Sequence, residues 1–389
     1  MSRLQTRLDR GDTALAFDDG AGYLQSVLAE LKIPVSSQTL VFSKTSLQQR
    51  RISPQTPRAI YFGDDVYVGY CVGGEVLEIS AVDARLGTVF YTLDQTRAAG
   101  TPTFVHRMDS CLVCHRTNRT EGVPGHLARS LYVDREGHPV VSSGSRFVNH
   151  TTPLAERWGG WYVTGTHGSQ RHLGNLTVAD DFRGPPADNT SGMNITSLSR
   201  HVDTSPYLTP HSDIVALMVL EHQVLVHNCL ASASLAAREA LAEVEEHAGM
   251  GPPKSGKSRA LNSPRMQVAV ERLLEALLMV GESTLAGRIE GTSPFAAEYE
   301  AAGRRDSQGR SLRDLDLSRR LFKHPCSPLI YSEAFTELPA EIQEPLLRRL
   351  REVLLGMDQS DKFRQLSAAD RHSIWEILRE TRRTSWRWD

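Results

Sequence analysis

Apolar and polar positions alternate with two different periods along the chain, and the change of period divides it. Residues 21–31 place Tyr23, Leu24, Val27, Leu28 and Leu31 at helical spacing before Pro34, which predicts a short amphipathic helix. From residue 38 the period falls to two. Thr39-Leu40-Val41-Phe42, Arg58-Ala59-Ile60-Tyr61-Phe62, Val66-Tyr67-Val68-Gly69-Tyr70-Cys71, Val76-Leu77-Glu78-Ile79 and Thr88-Val89-Phe90-Tyr91-Thr92-Leu93 are rich in β-branched and aromatic residues, with Gly63-Asp64-Asp65 and Gly73-Gly74 between them. Such runs separated by glycine turns predict an antiparallel meander over residues 38–94. Two further strand-like runs, 102–106 and 129–133, flank a polar stretch, and residues 178–210 read as irregular, punctuated by Pro185, Pro186, Pro206 and Pro210.

Helical spacing then returns. A long helix is predicted from Thr209-Pro210 to about residue 246, with His211, Val215, Met218, His222, Leu225 and Cys229 on one face. Residues 248–262 read as a flexible linker from their Gly, Pro, Ser and Lys content. Ser263-Pro264 opens a helix striped by Val270, Leu273, Leu274, Leu277 and Leu278. Two more, over 340–356 and 367–383, carry arginine-rich outer faces, and Ser367 with Asp370 makes a capping-box start for the last. The expected fold is α+β: a β-rich antiparallel part over 1–205 and a mainly helical part over 206–389.

Composition narrows the class. The chain has 389 residues, 40% hydrophobic and 23% charged, with a net charge of −2, so no basic field for nucleic acid or an anionic membrane is expected. The longest apolar run, residues 214–220, is interrupted by Glu221 and His222, and no membrane span is expected. Five cysteines are too few for a disulfide framework in a chain this long. Two of them fall in a motif. Cys71, Cys229 and Cys326 remain and can form at most one bridge; three buried thiols is the simpler expectation.

That motif, Cys111-Leu112-Val113-Cys114-His115, is the attachment pattern for haem c: two thiols reach two vinyl groups on one porphyrin edge, and the adjacent histidine becomes the proximal iron ligand. The alternatives lack their context. A thioredoxin-like pair should follow a strand and open a helix, whereas polar Arg116-Thr117-Asn118-Arg119-Thr120 follows here. A zinc site needs a second ligand pair, and the chain has no other C-x-x-C or C-x-x-H. The surrounding strand-like runs point away from the small all-helical cytochrome c fold.

Other segments offer partners for such a haem. His150, then Arg157 to Gly168 with Trp158 and Trp161 among glycines, then His172, form a segment dense in histidine and aromatic rings. Trp158 and Trp161 are candidates to face a porphyrin, against ordinary aromatic packing, and His150, His167 and His172 are candidate acid–base groups. Met218, His222 and His167 are candidate second axial ligands, against a helix stripe that is simply buried. Arg319 to Tyr331 is a basic-aromatic loop that reads as a connector, with haem propionates as its alternative partner. Residues 251–258 match G-x-x-x-x-G-K-S letter for letter, yet they follow a helix and include Pro252 and Pro253, which lack N–H donors; no nucleotide is expected there.

Taken together, Pro102-Thr103-Phe104-Val105, Gly122-Val123-Pro124-Gly125-His126, residues 158–168, residues 212–223 and residues 321–335 resemble a family of large, exported, bacterial single-haem cytochrome-c-like proteins. The resemblance spans most of the chain. It implies one covalent haem c on Cys111 and Cys114 with His115 as ligand, and a periplasmic address; no substrate comes with it. The first ten residues lack the apolar core of a signal peptide, so a mature form is expected. The expected function is electron transfer with a redox partner protein. The alternatives are a haem enzyme acting on a small molecule, peroxidase-like or otherwise oxidoreductive, and, more remotely, a haem-based sensor.

Overall fold

The computed structural model describes residues 1–107, 109–183, 187–248, 263–381 and 386. The expected linker from 249 onward, the G-x-x-x-x-G-K-S match, Pro185 and Pro186 lie outside the described residues. Two short helices, α1 (Ser2–Asp9) and α2 (Leu24–Glu30), precede a sheet of six strands in chain order: β1 (Thr39–Val41), β2 (Arg58–Phe62), β3 (Val66–Tyr70), β4 (Val76–Asp83), β5 (Gly87–Asp94) and β6 (Phe104–Arg107). Every neighbouring pair is antiparallel, with Tyr61 opposite Val68, Ile79 opposite Tyr91 and Thr92 opposite Val105. The meander read from the sequence is therefore present, and the fold is α+β.

Over β1–β3 neither face of this sheet is left to solvent. Leu40, Tyr61, Val68, Leu77 and Ile79 point into a core shared with Leu24 and Leu28 of α2, while Val41, Phe62 and Tyr67 point the opposite way into a second core. Alternation along these strands thus separates two cores, which is why the runs are nearly continuous in apolar residues.

The second core is built around α4 (Ile214–Ala248). Asp213 caps it: Oδ1 accepts from Val215 N at 2.8 Å, while Oδ2 accepts from Ser293 N at 2.8 Å and Thr292 N at 2.9 Å. The helix thus starts four residues after the expected proline. By length and apolarity its span Ile214–Glu243 is a membrane-span candidate, but 89% of its apolar window is buried inside this fold.

Beyond α4 lie α5 (Pro264–Leu277), α6 (Phe295–Ala301), α7 (Glu333–Thr336), α8 (Ala340–Leu354) and α9 (Ala368–Thr381). Leu273, Leu274, Ile342, Leu350, Ile374 and Ile377 close a third core against the later turns of α4, each buried side chain contributing roughly 1.5–3 kcal/mol. The caps read from the sequence are present: Ser263 Oγ accepts from Met266 N at 3.3 Å, and Ser367 Oγ accepts from Asp370 N at 3.1 Å. The two parts interleave at the expected boundary, since Gln38 Nε2 donates to Thr209 O and His211 O at 2.7 and 2.8 Å. A second tie is the pairing of β9 (Gly165–Thr166) with β10 (Glu290–Gly291). Between these, β7 (Arg129–Leu131) and β8 (Ser145–Phe147) form a small hairpin.

Candidate functional site

The edge strand β6 runs directly toward α3 (Asp109–His115), so the motif occupies a helix of about two turns at the open edge of the sheet. Cys111 and Cys114 are three apart and fall on one side of it; Cys114 is exposed and Cys111 half-buried. Val113 between them is 78% exposed, leaving an apolar side chain in water beside the thiols.

His115 ends α3 with its two ring nitrogens in different situations. Nδ1 lies 2.9 Å from Gly125 O, and because a carbonyl only accepts, Nδ1 carries the proton. Nε2 then holds a lone pair and has no hydrogen-bond partner among the described residues. The ring packs on Phe90 of β5, centroids 4.7 Å apart. Burial lowers its pKa, against the pull of the Gly125 bond. A neutral imidazole fixed through Nδ1, with Nε2 unspent, is the form a metal ligand requires.

The carbonyl that orients it is itself held. Gly125 N donates back to His115 O at 2.8 Å. Asn228 of α4 clasps the next residue, accepting from His126 N and donating to His126 O, both at 2.9 Å. A Cβ on Gly125 would stand 2.3 Å from Asn228 Oδ1, so glycine is what lets loop and helix meet. Thr117 and Thr120 cap the intervening turn reciprocally.

Behind His115 runs a seam of buried histidines. His126 has both nitrogens satisfied, Nε2 by Ser80 Oγ at 2.9 Å and Nδ1 by Thr88 Oγ1 at 3.1 Å. It packs 4.3 Å from the Tyr67 ring, whose hydroxyl meets His227 Nδ1 at 3.0 Å. Farther along α4, His222 Nδ1 lies 3.0 Å from His150 Nδ1 and His222 Nε2 lies 2.7 Å from Ser327 Oγ. Burial pushes all four well down, His150 and His227 to about 3, so the seam is neutral at physiological pH. Beside it Arg157 Nη1 pairs with Glu221 Oε2 at 3.1 Å, with side chains 3% and 2% exposed. Burial pushes Glu221 up to about 7 against the pull of Arg157.

The remaining sequence candidates fall as follows. His222, proposed as an axial ligand, has both nitrogens spent within the protein. Met218 is a core residue, 3% exposed, packed with Val215, Leu217 and Val219. His167 bonds Asn194 N through Nε2 at 3.1 Å and sits edge-on to His172, which sits edge-on to Trp158. None of the three makes a hydrogen bond or ring contact with His115. Trp158 and Trp161 are buried among the same core residues, and Trp161 donates to Arg129 O at 2.8 Å. Their glycines serve backbone contact: a Cβ on Gly159 would stand 2.6 Å from Leu131 O. The packing reading of these tryptophans is the one the structure supports. His150 and His172, proposed for acid–base work, are each 2% exposed. In the 319–331 loop, Arg320 pairs with Asp370 and Arg319 with Asp316, the connector reading.

Sequence reasoning missed His126, His227 and Asn228 as parts of the site, and the Arg157–Glu221 pair. A signal existed: Glu221, His222, Gln223, His227 and Asn228 interrupt a helix with no solvent-facing stripe, and buried polar residues require partners. Cys71, Cys229 and Cys326 are buried, and none is in a disulfide. Among the described residues, no group of three or more His, Cys, Asp or Glu side chains is arranged to hold a metal ion by itself. The chain matches no family model, no curated protein and no solved structure.

Proposed function

We propose that the chain is an exported, periplasmic electron-transfer protein carrying one covalent haem on Cys111 and Cys114, with His115 Nε2 as the proximal ligand. The observation that carries this reading is the His115 ring: on the same short helix as both thiols, its Nδ1 is committed to Gly125 O and its Nε2 is left over. A zinc site would need its ligands gathered, and among the described residues no group of three or more His, Cys, Asp or Glu side chains is arranged to hold a metal ion. The haem, when bound, supplies a one-electron iron couple. The protein's part is to anchor it through two thiols and hold the imidazole plane through Gly125 and Phe90. The neutral seam avoids placing a cation behind the ligand. Its histidines are enclosed, His126 and His222 with both nitrogens bonded to protein groups and His150 and His227 with one, and enclosed groups suit a rigid carrier better than an acid–base enzyme, which needs its groups open to substrate.

The test is expression with export and the haem c ligation machinery, followed by acid-acetone extraction. The red colour should stay with the polypeptide, and Cys111→Ala/Cys114→Ala should release it. A ferric protein that is high-spin and shifts promptly with peroxide would move the reading to the enzyme alternative.

A further inference from the structure

Tyr67 of β3 is buried, and among the described residues its hydroxyl has a single hydrogen-bond partner, His227 Nδ1 of α4 at 3.0 Å. Burial keeps the phenol protonated, its pKa well above 10, and keeps His227 neutral with a pKa of about 3. Were Nδ1 the donor, the buried O–H would have no acceptor, so the phenol donates to the Nδ1 lone pair and the ring proton sits on Nε2. Three other buried tyrosines are satisfied differently. Tyr61 donates to Gln38 Oε1 at 2.6 Å, and Tyr162 and Tyr207 donate to Pro54 O and Pro57 O, both at 2.7 Å. Amide oxygens accept a hydrogen bond without taking the proton, whereas an imidazole nitrogen takes it.

That difference matters when an electron is removed. An oxidised phenol is a strong acid, far stronger than an imidazolium even in this sealed site, so the electron leaves readily only where a base lies within hydrogen-bond reach. Rings in contact lead outward from Tyr67 in two directions. One line passes His126 at 4.3 Å and Phe90 a further 6.4 Å on, reaching the half-buried His115 after 4.7 Å more. The other passes Phe62 at 6.1 Å and Phe295 at 5.6 Å to Tyr299 at 5.6 Å. Contacts of this kind couple π-systems, so no oxidant has to touch the phenol. Tyr299 is the poorer donor, because the Arg313 guanidinium lies 4.7 Å over its ring and a cation there opposes loss of an electron.

We propose that Tyr67 is a redox-active residue: a strong outer-sphere one-electron oxidant takes one electron from its ring, the phenol proton moves to His227 Nδ1, and a neutral tyrosyl radical is left beside an imidazolium. One O–H bond breaks and one N–H bond forms. Return of one electron brings the proton back and restores both groups, so the pair stores one oxidising equivalent away from solvent. The proton transfer is internal and needs no opening to substrate. The proposal is independent of the haem reading, since neither residue belongs to the Cys111–His115 turn, and its failure would leave that reading intact.

The test is photo-oxidation of the full-length protein by flash-generated tris(bipyridine)ruthenium(III), with persulfate as sacrificial acceptor, followed by freeze-quench electron paramagnetic resonance. Wild type should trap a tyrosyl radical, identified by loss of its ring-proton splitting when the protein carries ring-deuterated tyrosine. Tyr67→Phe keeps the ring, and His227→Gln keeps an acceptor for the hydroxyl but no base. Each should cut the trapped signal at least about tenfold, while Tyr299→Phe should retain it. Absence of a tyrosyl signal in wild type, an unchanged signal in Tyr67→Phe or His227→Gln, or a signal lost with Tyr299→Phe would each overturn the proposal.

Discussion

The turn at the sheet edge and the seam inside α4 use the same side chain in opposite ways. His115 gives one nitrogen to the backbone and keeps the other. His126 and His222 give both, to Ser80 and Thr88 and to His150 and Ser327. His150 and His227 each keep an Nε2 without a partner, but it is sealed in the interior; the four buried histidines are therefore read as scaffold, and the one at the margin, beside the thiols, is the candidate ligand. Fitness to bind iron resides in an unspent lone pair within reach of two thiols, and neither residue type nor helical spacing supplies that.

The contrast can be broken most forcefully at the seam. Arg157→Met leaves Glu221 buried and unpaired, along with the Thr152 and His150 carbonyls that Arg157 serves. It should cost about 3–5 kcal/mol in urea denaturation, and Arg157→Met/Glu221→Met should recover much of that. His222→Phe strips partners from His150 and Ser327 and should cost about 2–4 kcal/mol, yet leave the haem absorption spectrum unchanged. If that variant lost its low-spin spectrum, the division between scaffold and ligand would fail.

Acid should find the seam next. Each of His126, His150, His222 and His227 has a folded pKa below its unfolded value of about 6.5, so its contribution is fully present above that pH and is lost as pH falls through the folded value, about 3 for His150 and His227. Each pH unit in this window should cost roughly 1.4 kcal/mol per histidine that stays neutral. Glu221, Asp65 and Glu282, raised to about 7, act in the opposite sense between about 4.5 and 7. The melting temperature should therefore vary little from pH 7 to about 4.5 and drop steeply below it. A decline that is equally steep across the whole range would contradict the assignment. Smallest of all should be His115→Ala in the haem-free protein, which loses one hydrogen bond and the Phe90 contact, about 1 kcal/mol by denaturation.

Much of the scaffold was legible because its signals are local. Strands 58–62 and 66–70 alternate between two apolar environments, and Ser263 and Ser367 carry their own caps. Helices α1 and α6, eight and seven residues long, were not legible, since segments so short depend on tertiary packing. Within the site, the thiol pair and its histidine could be read directly from their spacing. The partner that orients His115 could not, because Gly125 O is a backbone atom and its grip comes from Asn228, 103 positions away in sequence. On α4 the spacing placed Met218 and His222 on one side correctly. It could not show what faced them, because a helix buried all round has no solvent face to fix its orientation.

The most direct measurement is the haem itself, in wild type and in His115→Ala, both matured with export and haem ligation. With the thiols intact, both should keep colour in the polypeptide after acid-acetone extraction. Only wild type should show the low-spin ferric spectrum of an iron held by a strong-field protein ligand on the His115 side. A His115→Ala protein with an unaltered spectrum, or a wild-type polypeptide left colourless by extraction, would contradict the account.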